Sequence, residues 1–390
     1  MRLLVACCLF AFSIAQHWAW PSHDDFLFLD EAVAAGTALG QTGTLANPFH
    51  AMPTGPTAHV APGFPLLVAG IVKIWGNGLE AYRALILMGV LTQALFLALL
   101  PWVAEALGFT FYTGLTAACL ALFAQVPTFA NWESSYVALL AAMLTGLIAR
   151  GGRETLVSVL WGVLILFSPV MLGVFAVYYL RADRKRMIWA LVIVAPWIVR
   201  NYGQFGRLVM VRDNLGLELH LANNPCASFS LRGNIETQCH QQYHPNVNAQ
   251  EAMLVRSLGE VAYNDRQLNS AAQWIMENQA RFAELSWQRV AHFWFPAEGG
   301  DYRQYEVVVW VTTVLSIPGL VLVWRERPGT ARMLGTWLIF FPLVYYVIQF
   351  DLRYRVPIIW ITFLLAANAL NAAGRYFVNR ARSTASAMAL

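Results

Sequence analysis

Charge is what this 390-residue sequence lacks. Lys, Arg, Asp and Glu make up 12% of it, about half their share in an ordinary soluble domain, too little to clothe a water-soluble globule. Lysine is nearly missing, since Lys73 and Lys185 are the only two among 26 basic residues. The formal net charge of +4 is spread over loops, which excludes the concentrated basic face that nucleic-acid binding needs. No Walker, Rossmann or zinc-ligand spacing, no internal repeat and no low-complexity tract occurs. Cysteines number five. Cys7, Cys8 and Cys119 lie in apolar runs as small hydrophobic residues, and only Cys226 and Cys239 fall in a polar region.

What the sequence does have is apolar length: 58% hydrophobic and 13% aromatic residues, with a mean hydropathy of +0.51. Most of the chain must sit in lipid, where only helices or closed barrels satisfy the backbone. Long unbroken apolar runs select helices, so the fold class is an all-α polytopic membrane protein. About ten spans are read near 2–20, 82–103, 109–127, 134–149, 155–167, 170–181, 186–200, 304–324, 333–350 and 355–373, each close to or somewhat below the length a bilayer requires. Basic residues gather at Arg2, at Arg150 and Arg153, at Arg181, Arg184, Lys185 and Arg186, at Arg325, Arg327 and Arg332, and at Arg375, Arg380 and Arg382. Short cytoplasmic loops carry such an excess, which puts both termini inside and sends 21–81 and 201–303 outward. The short apolar segment 61–76 opens on prolines and carries Lys73, so it is read as an interfacial outer helix. Ser13-Ile14-Ala15 would suit a cleaved signal peptide, but the apolar run continues to Trp18 and Trp20, which suits a retained helix better.

Three regions follow. Residues 1–200 form a transmembrane module that includes outer loop 21–81. Residues 201–303 form a mainly helical extracytoplasmic domain with a helical pattern from about 249 to 294, and 304–390 hold the last spans and a cytoplasmic tail. Cys226 and Cys239 open the outer domain on the side where disulfides form; a bridge and two free thiols are both compatible with the sequence.

Four acidic residues stand together in the first outer loop: Asp24, Asp25, Asp30 and Glu31. Asp30 and Glu31 precede an apolar helical pattern and suit a helix start. The adjacent Asp24 and Asp25 repel each other, which raises one pKa and fits a general base. Arg353 and Arg355 would share a face in an extended chain, and arginine binds phosphate bidentately; a membrane-surface anchor, with Asp351 as salt partner, is the plainer reading. Arg200, at a predicted outer helix end, is a second phosphate candidate. Asn214 and Asn223-Asn224-Pro225 are read as the edge of a cleft, and Trp294 and Phe295 as interface aromatics or a sugar-stacking platform.

The order DDFLFLDEAVAAGTALGQTG, PTAHVAPGFPLLVAGIVKIWG, AYRAL, PWIVRNYGQFGRLVMVRDNLGLELHLANNP and FDLRYRVPIIW resembles the polyprenyl-phosphate-sugar-dependent GT-C glycosyltransferases, the family 39-like group that holds protein O-mannosyltransferases and lipid A aminoarabinose transferases. The resemblance implies a GT-C-type bundle with outer-face juxtamembrane helices and a small periplasmic domain. It implies inverting transfer from a lipid-phosphate sugar to an acceptor, a glycan, glycolipid or protein of the envelope, at the outer face of the membrane. The preference for arginine over lysine points to a bacterial inner membrane, with the site then facing the periplasm. The resemblance places the catalytic base at Asp25, whose spacing to Gly40 matches the family, or at Asp24; some members carry Asp-Glu where this chain has Asp-Asp. His59 falls where relatives have a cationic residue that meets phosphate. Glu133 resembles the family's second acidic position, which binds a metal or positions substrate. With Asp24 or Asp25 it would suit a hard divalent cation, although the cofactor itself is not specified by the sequence. The implied partners are the lipid-linked donor, the envelope acceptor and the bilayer. A transporter of lipid-linked sugar and a non-catalytic membrane subunit are the competing classes; the charges at the membrane edges and the lack of a repeat weigh against the transporter.

Overall fold

The computed structural model describes residues 1–22, 30–128, 132–180 and 188–388, with side chains as far as Arg380. The described chain is helical; pairing of strand type is confined to single bridges, Ala46 with Pro56 and Ser230 with Phe350. After α1 (Arg2–His17), a packed pair α2 (Glu31–Thr42) and α3 (Gly63–Trp75) leads into α4 (Leu79–Ala106), α5 (Phe111–Ala124), α6 (Ser134–Ala149), α7 (Glu154–Phe167), α8 (Met171–Tyr179) and α9 (Ile188–Phe205). The polar region holds α10 (Leu215–Ala222), α11 (Leu231–Glu236), α12 (Cys239–Tyr243), α13 (Ala249–Leu258), α14 (Glu260–Glu277) and α15 (Gln279–Trp294). The chain ends with α16 (Arg303–Glu326), α17 (Pro328–Phe340) and α18 (Val356–Met388), the last two separated by 3-10 turns at Pro342–Tyr346 and Leu352–Arg355.

Helix ends follow local chemistry. Helix α2 stops at Gly43, whose φ of 77° suits glycine. Helix α13 starts on Asn248, whose side chain accepts from the amides of Gln250 and Glu251. The expected helical stretch 249–294 is three helices, because Gly259, with φ 83°, and Asn278 interrupt it. Cys226 and Cys239 are joined by a disulfide with an S–S distance of 2.07 Å.

Among the described residues three helices are long and apolar enough to cross a membrane, over Leu79–Ala106, Gly300–Glu326 and Leu352–Arg380. Five further apolar helices, Arg2–His17, Gly63–Trp75, Phe111–Ala124, Ser134–Ala149 and Glu154–Phe167, have 10–17 residues. Helix length therefore does not carry the expected count of about ten. The expected span 333–350 shows why: α17 stops at Phe340 because Pro342 cannot donate to a continuing helix, and the chain goes on as a 3-10 turn.

The core centres on α18, where Ile358, Ile359, Trp360, Ile361, Phe363, Leu364 and Leu365 are buried. Helix α16 approaches α18 through Gly319, where a Cβ would lie 2.0 Å from the Leu365 carbonyl oxygen. Only glycine permits that approach, as at small-residue seams between membrane helices. Gly335 has open space around it. Gly319→Ala should therefore destabilise the detergent-purified protein by about 1–3 kcal/mol, read as a lowered thermal midpoint. Gly335→Ala should leave the midpoint close to wild type.

Candidate active site

The polar side of the molecule is assembled on one short segment, Thr57–His59, in which every backbone polar group is paired. The Thr57 amide donates to Leu45 O (3.0 Å), and its carbonyl accepts from Arg200 Nη1 (2.7 Å). The Ala58 amide donates to Glu260 Oε1 (2.6 Å), and its carbonyl accepts from the Asp213 amide (2.8 Å). The His59 amide donates to Thr57 Oγ1 (2.9 Å), and its carbonyl accepts from Arg212 Nε (2.7 Å). The Thr57 hydroxyl completes the cradle by donating to Glu260 Oε2. Burial lifts the Glu260 carboxyl to about 7, against the pull of His59 and the hydrogen bonds from Thr57 and Ala58. Burial, with Asp265 nearby, lifts Asp213 to about 6.

This cradle fixes His59, which is fully buried, with Nε2 3.8 Å from Glu31 Oε2. Glu31 is the first residue of α2, is 9% exposed, and receives His244 Nε2 at 3.1 Å on its other oxygen. His244 Nδ1 accepts from the Asn246 amide (3.0 Å), so the proton of the neutral ring sits on Nε2 and points at Glu31. Burial opposes the Glu31 charge, yet His244, His59 and Arg353 outweigh it and hold the carboxyl well below its usual range. Burial holds the His244 imidazole down at about 4, against the attraction of Glu31. His240 stacks on His244 at 4.4 Å, and burial followed by His244 holds it at about 4 as well. Phe49 stands edge-on to both His59 and His244.

Two cavities meet here. A polar one of about 470 Å³ is lined by Asp30, Glu31, Glu218, His240, His244 and Asp351. A second, of about 430 Å³, is walled by Val170, Gly173, Phe340, Leu343, Val344 and Ile348, with Glu133, Arg212 and Asn214. Trp132, Glu218 and Arg353 line both. Arg353 Cζ lies 3.5 Å over the Trp132 ring, and its nearest polar side chains are Tyr354 Oη at 3.5 Å and Asp351 Oδ1 at 3.9 Å. Those contacts leave most of its five donors to the cavities.

The residues singled out in the sequence separate accordingly. Asp24 and Asp25 lie outside the described residues. Glu133 lines the second cavity and holds the N-cap position of α6 without capping it through its side chain. Arg353 and Arg355 do not share a face, because the segment is a 3-10 turn and not an extended strand. Arg355 is buried and donates to Phe293 O (3.0 Å), Trp294 O (2.5 Å) and Thr313 Oγ1 (2.6 Å). Arg200 is occupied by the carbonyls of Thr57 and Leu45, so both arginines serve as backbone clamps. Asn223 bonds Arg289 and the Val347 carbonyl, bracing the cleft edge from behind. Trp294 donates to Tyr346 Oη (2.8 Å) beneath Arg355 and is not a platform in either cavity. Sequence reasoning missed His240, His244, Trp132, Glu218 and Arg212. The i, i+4 pair in HQQYH is the one signal that was available for the histidines. Among the described residues no three His, Cys, Asp or Glu side chains are grouped to hold a metal ion.

No protein-family model matches the chain, and no curated protein does. Solved structures do match its fold. The oligosaccharyltransferase AglB of Archaeoglobus fulgidus in complex with an inhibitory peptide and a dolichol-phosphate aligns with 98% of this chain at TM-score 0.54 and 13% identity. The apo form of the Archaeoglobus fulgidus oligosaccharyltransferase aligns with 99% at TM-score 0.55 and 12% identity. The same enzyme tethered to an acceptor peptide aligns with 95% at TM-score 0.54 and 13% identity. This chain spans about half the length of those proteins, 49% to 52%. The fold of this chain is thus similar to that of about half of those structures.

The cradle sets a pH dependence. Glu260 titrates higher folded than unfolded, so its stabilisation is complete below pH about 4.5 and is lost as pH rises through about 7. The wild-type thermal midpoint should fall between pH 5 and pH 8. Glu260→Gln should flatten most of that fall and exceed wild type at pH 8; parallel curves would refute the assignment.

Proposed function

We propose that this chain is a membrane glycosyltransferase that moves a sugar from a polyprenyl-phosphate-linked donor to a glycan, glycolipid or protein of the cell envelope. Transfer takes place at the outer face of a bacterial inner membrane, on the periplasmic side, with inversion at the anomeric carbon. The observation that carries this reading is the place of Arg353 at the waist between an apolar and a polar cavity. A lipid-phosphate sugar has the same plan: an apolar tail, an anionic centre and a polar head. The dolichol-phosphate bound to the AglB neighbour supports the same donor class. In this reading 1–200 and 304–390 build the membrane part and 201–303 the extracytoplasmic domain.

In the reaction the acceptor hydroxyl loses its proton to a carboxylate as its oxygen attacks the anomeric carbon. The electron pair of the breaking carbon–oxygen bond leaves on the phosphate. Asp25 is the proposed base, with Asp24 the alternative. Glu31 is held ionised too firmly to take a proton near neutral pH, so it serves as an acceptor for sugar hydroxyls. The leaving phosphate is already anionic and needs cations more than a general acid. Arg353 supplies one charge. Arg212, with Nη2 3.7 Å from Glu218, supplies a second on the apolar side.

The test is sugar transfer by purified protein from a panel of polyprenyl-phosphate monosaccharides. Asp25→Asn or Asp24→Asn should abolish it, and Arg353→Ala should lower kcat roughly 10²–10³-fold, the loss seen for a removed oxyanion donor. Folded wild type that releases sugar from no donor would sink the proposal. Orientation is tested separately: a cysteine beside Asp25 should react with an impermeant thiol reagent from outside, and one beside Arg184 should not.

A further inference from the structure

We infer that the donor's lipid tail runs down the seam between α8 and α17 into a second, inner cavity, so that the enzyme discriminates donors by tail length. The inference rests on the donor class proposed above.

The inner cavity, about 350 Å³, is lined by Trp161, Val174, Val177, Met333, Thr336 and Trp337. The Trp161 and Trp337 rings stack at 5.7 Å and are buried. The same two helices wall both cavities in consecutive stretches. Helix α8 gives Gly173 to the outer cavity and Val174 and Val177 to the inner one. Helix α17 gives Phe340 to the outer cavity and Met333, Thr336 and Trp337 to the inner one. The seven residues from Phe340 back to Met333 take the groove about 10 Å deeper at helical rise. Gly173 stands at the boundary, where a Cβ would lie 3.6 Å from the Phe340 carbonyl oxygen. Gly173 is exposed, so no side chain fills the groove beside Phe340. Phe340 is 37% exposed, and Leu343, just beyond it on the outer side, is 50% exposed.

A phosphate held at Arg353 delivers the first carbons of its tail to the outer end of this seam, an anchor that an ordinary acyl lipid does not have. The walls are mainly apolar and aromatic, which suits an isoprenoid, with Tyr178, Arg332 and Thr336 as the polar groups.

The experiment compares donors carrying one sugar on two-, four- and eleven-unit polyprenyl phosphates. For wild type, kcat/KM should rise roughly tenfold or more from the shortest to the longest as apolar surface is buried in the seam. Gly173→Leu, which fills the groove, and Thr336→Trp, which fills the inner cavity, should each flatten the ratio of long to short donor. Equal kcat/KM across tails in wild type would overturn the inference and leave the inner cavity to acyl lipid. A rise that both folded variants keep would overturn it as well. Transfer from none of the donors would instead remove the enzyme reading, and the tail path with it.

Discussion

The polar half of this molecule depends on the six hydrogen bonds that hold the backbone of Thr57–His59. A buried amide or carbonyl left unpaired costs as much as a lost hydrogen bond, and this segment is buried throughout. Its partners come from Leu45 in the same loop, Arg200 on α9, Arg212 and Asp213 before α10, and Glu260 on α14. One loop thereby joins α9 to the helices of the polar region. The ring of His59 then has one direction to face, toward Glu31, and α2 is held where its first residue meets His244.

A second rule governs three arginines, Arg289 and Arg355 buried and Arg200 half-buried. They have no carboxylate within ion-pair distance among the described residues; carbonyl, amide and hydroxyl oxygens take their Nη donors, while Nε of Arg289 and of Arg355 has no partner there. Guanidinium tolerates this because it is weakly hydrated and presents five donors in a rigid fork. Each one ties segments distant in sequence: Arg200 binds Leu45 and Thr57, Arg289 binds Ala222 and Val347, and Arg355 binds Phe293 and Trp294. Arg353 differs. It rests on the Trp132 face, its polar contacts are long, and its charge stays available to a ligand.

Local signals were the legible ones. Apolar runs and a low charge announce helices in lipid, and Asp30-Glu31 followed by an apolar pattern announces α2. Convergence was not legible: Glu31 and His244 lie on opposite sides of most of the membrane module in sequence, and nothing local to either names the other. The choice between Arg353 and Arg355 was equally hidden, because it depends on whether four residues run extended or turn as a 3-10 helix. Glu31 was read as a helix-start acid because that role accounts for an acid in a first turn. Only burial against two histidines changes it into an ionised group facing a cavity. The expected span 333–350 departs from the structure for a related reason: apolar composition continues through Pro342, while the helix does not.

Transfer and transport make different demands on such a bundle. A transporter of a lipid-linked sugar must offer the polar head a path across the apolar layer, and intramembrane charge usually marks that path. Here the carboxylates collect at one end. Asp30, Glu31, Glu218 and Asp351 line the polar cavity with Arg353 at its waist, while the inner cavity between α8 and α17 is walled largely by Trp161, Val174, Val177 and Trp337. The seam is walled mostly by apolar and aromatic groups, with Tyr178, Arg332 and Thr336 as its polar groups and no carboxylate in its lining. In the proposed reading, a charged headgroup held at Arg353 keeps the sugar in the polar cavity, where its anomeric carbon can meet an acceptor. That asymmetry favours an enzyme that holds its lipid substrate still while the head is exchanged.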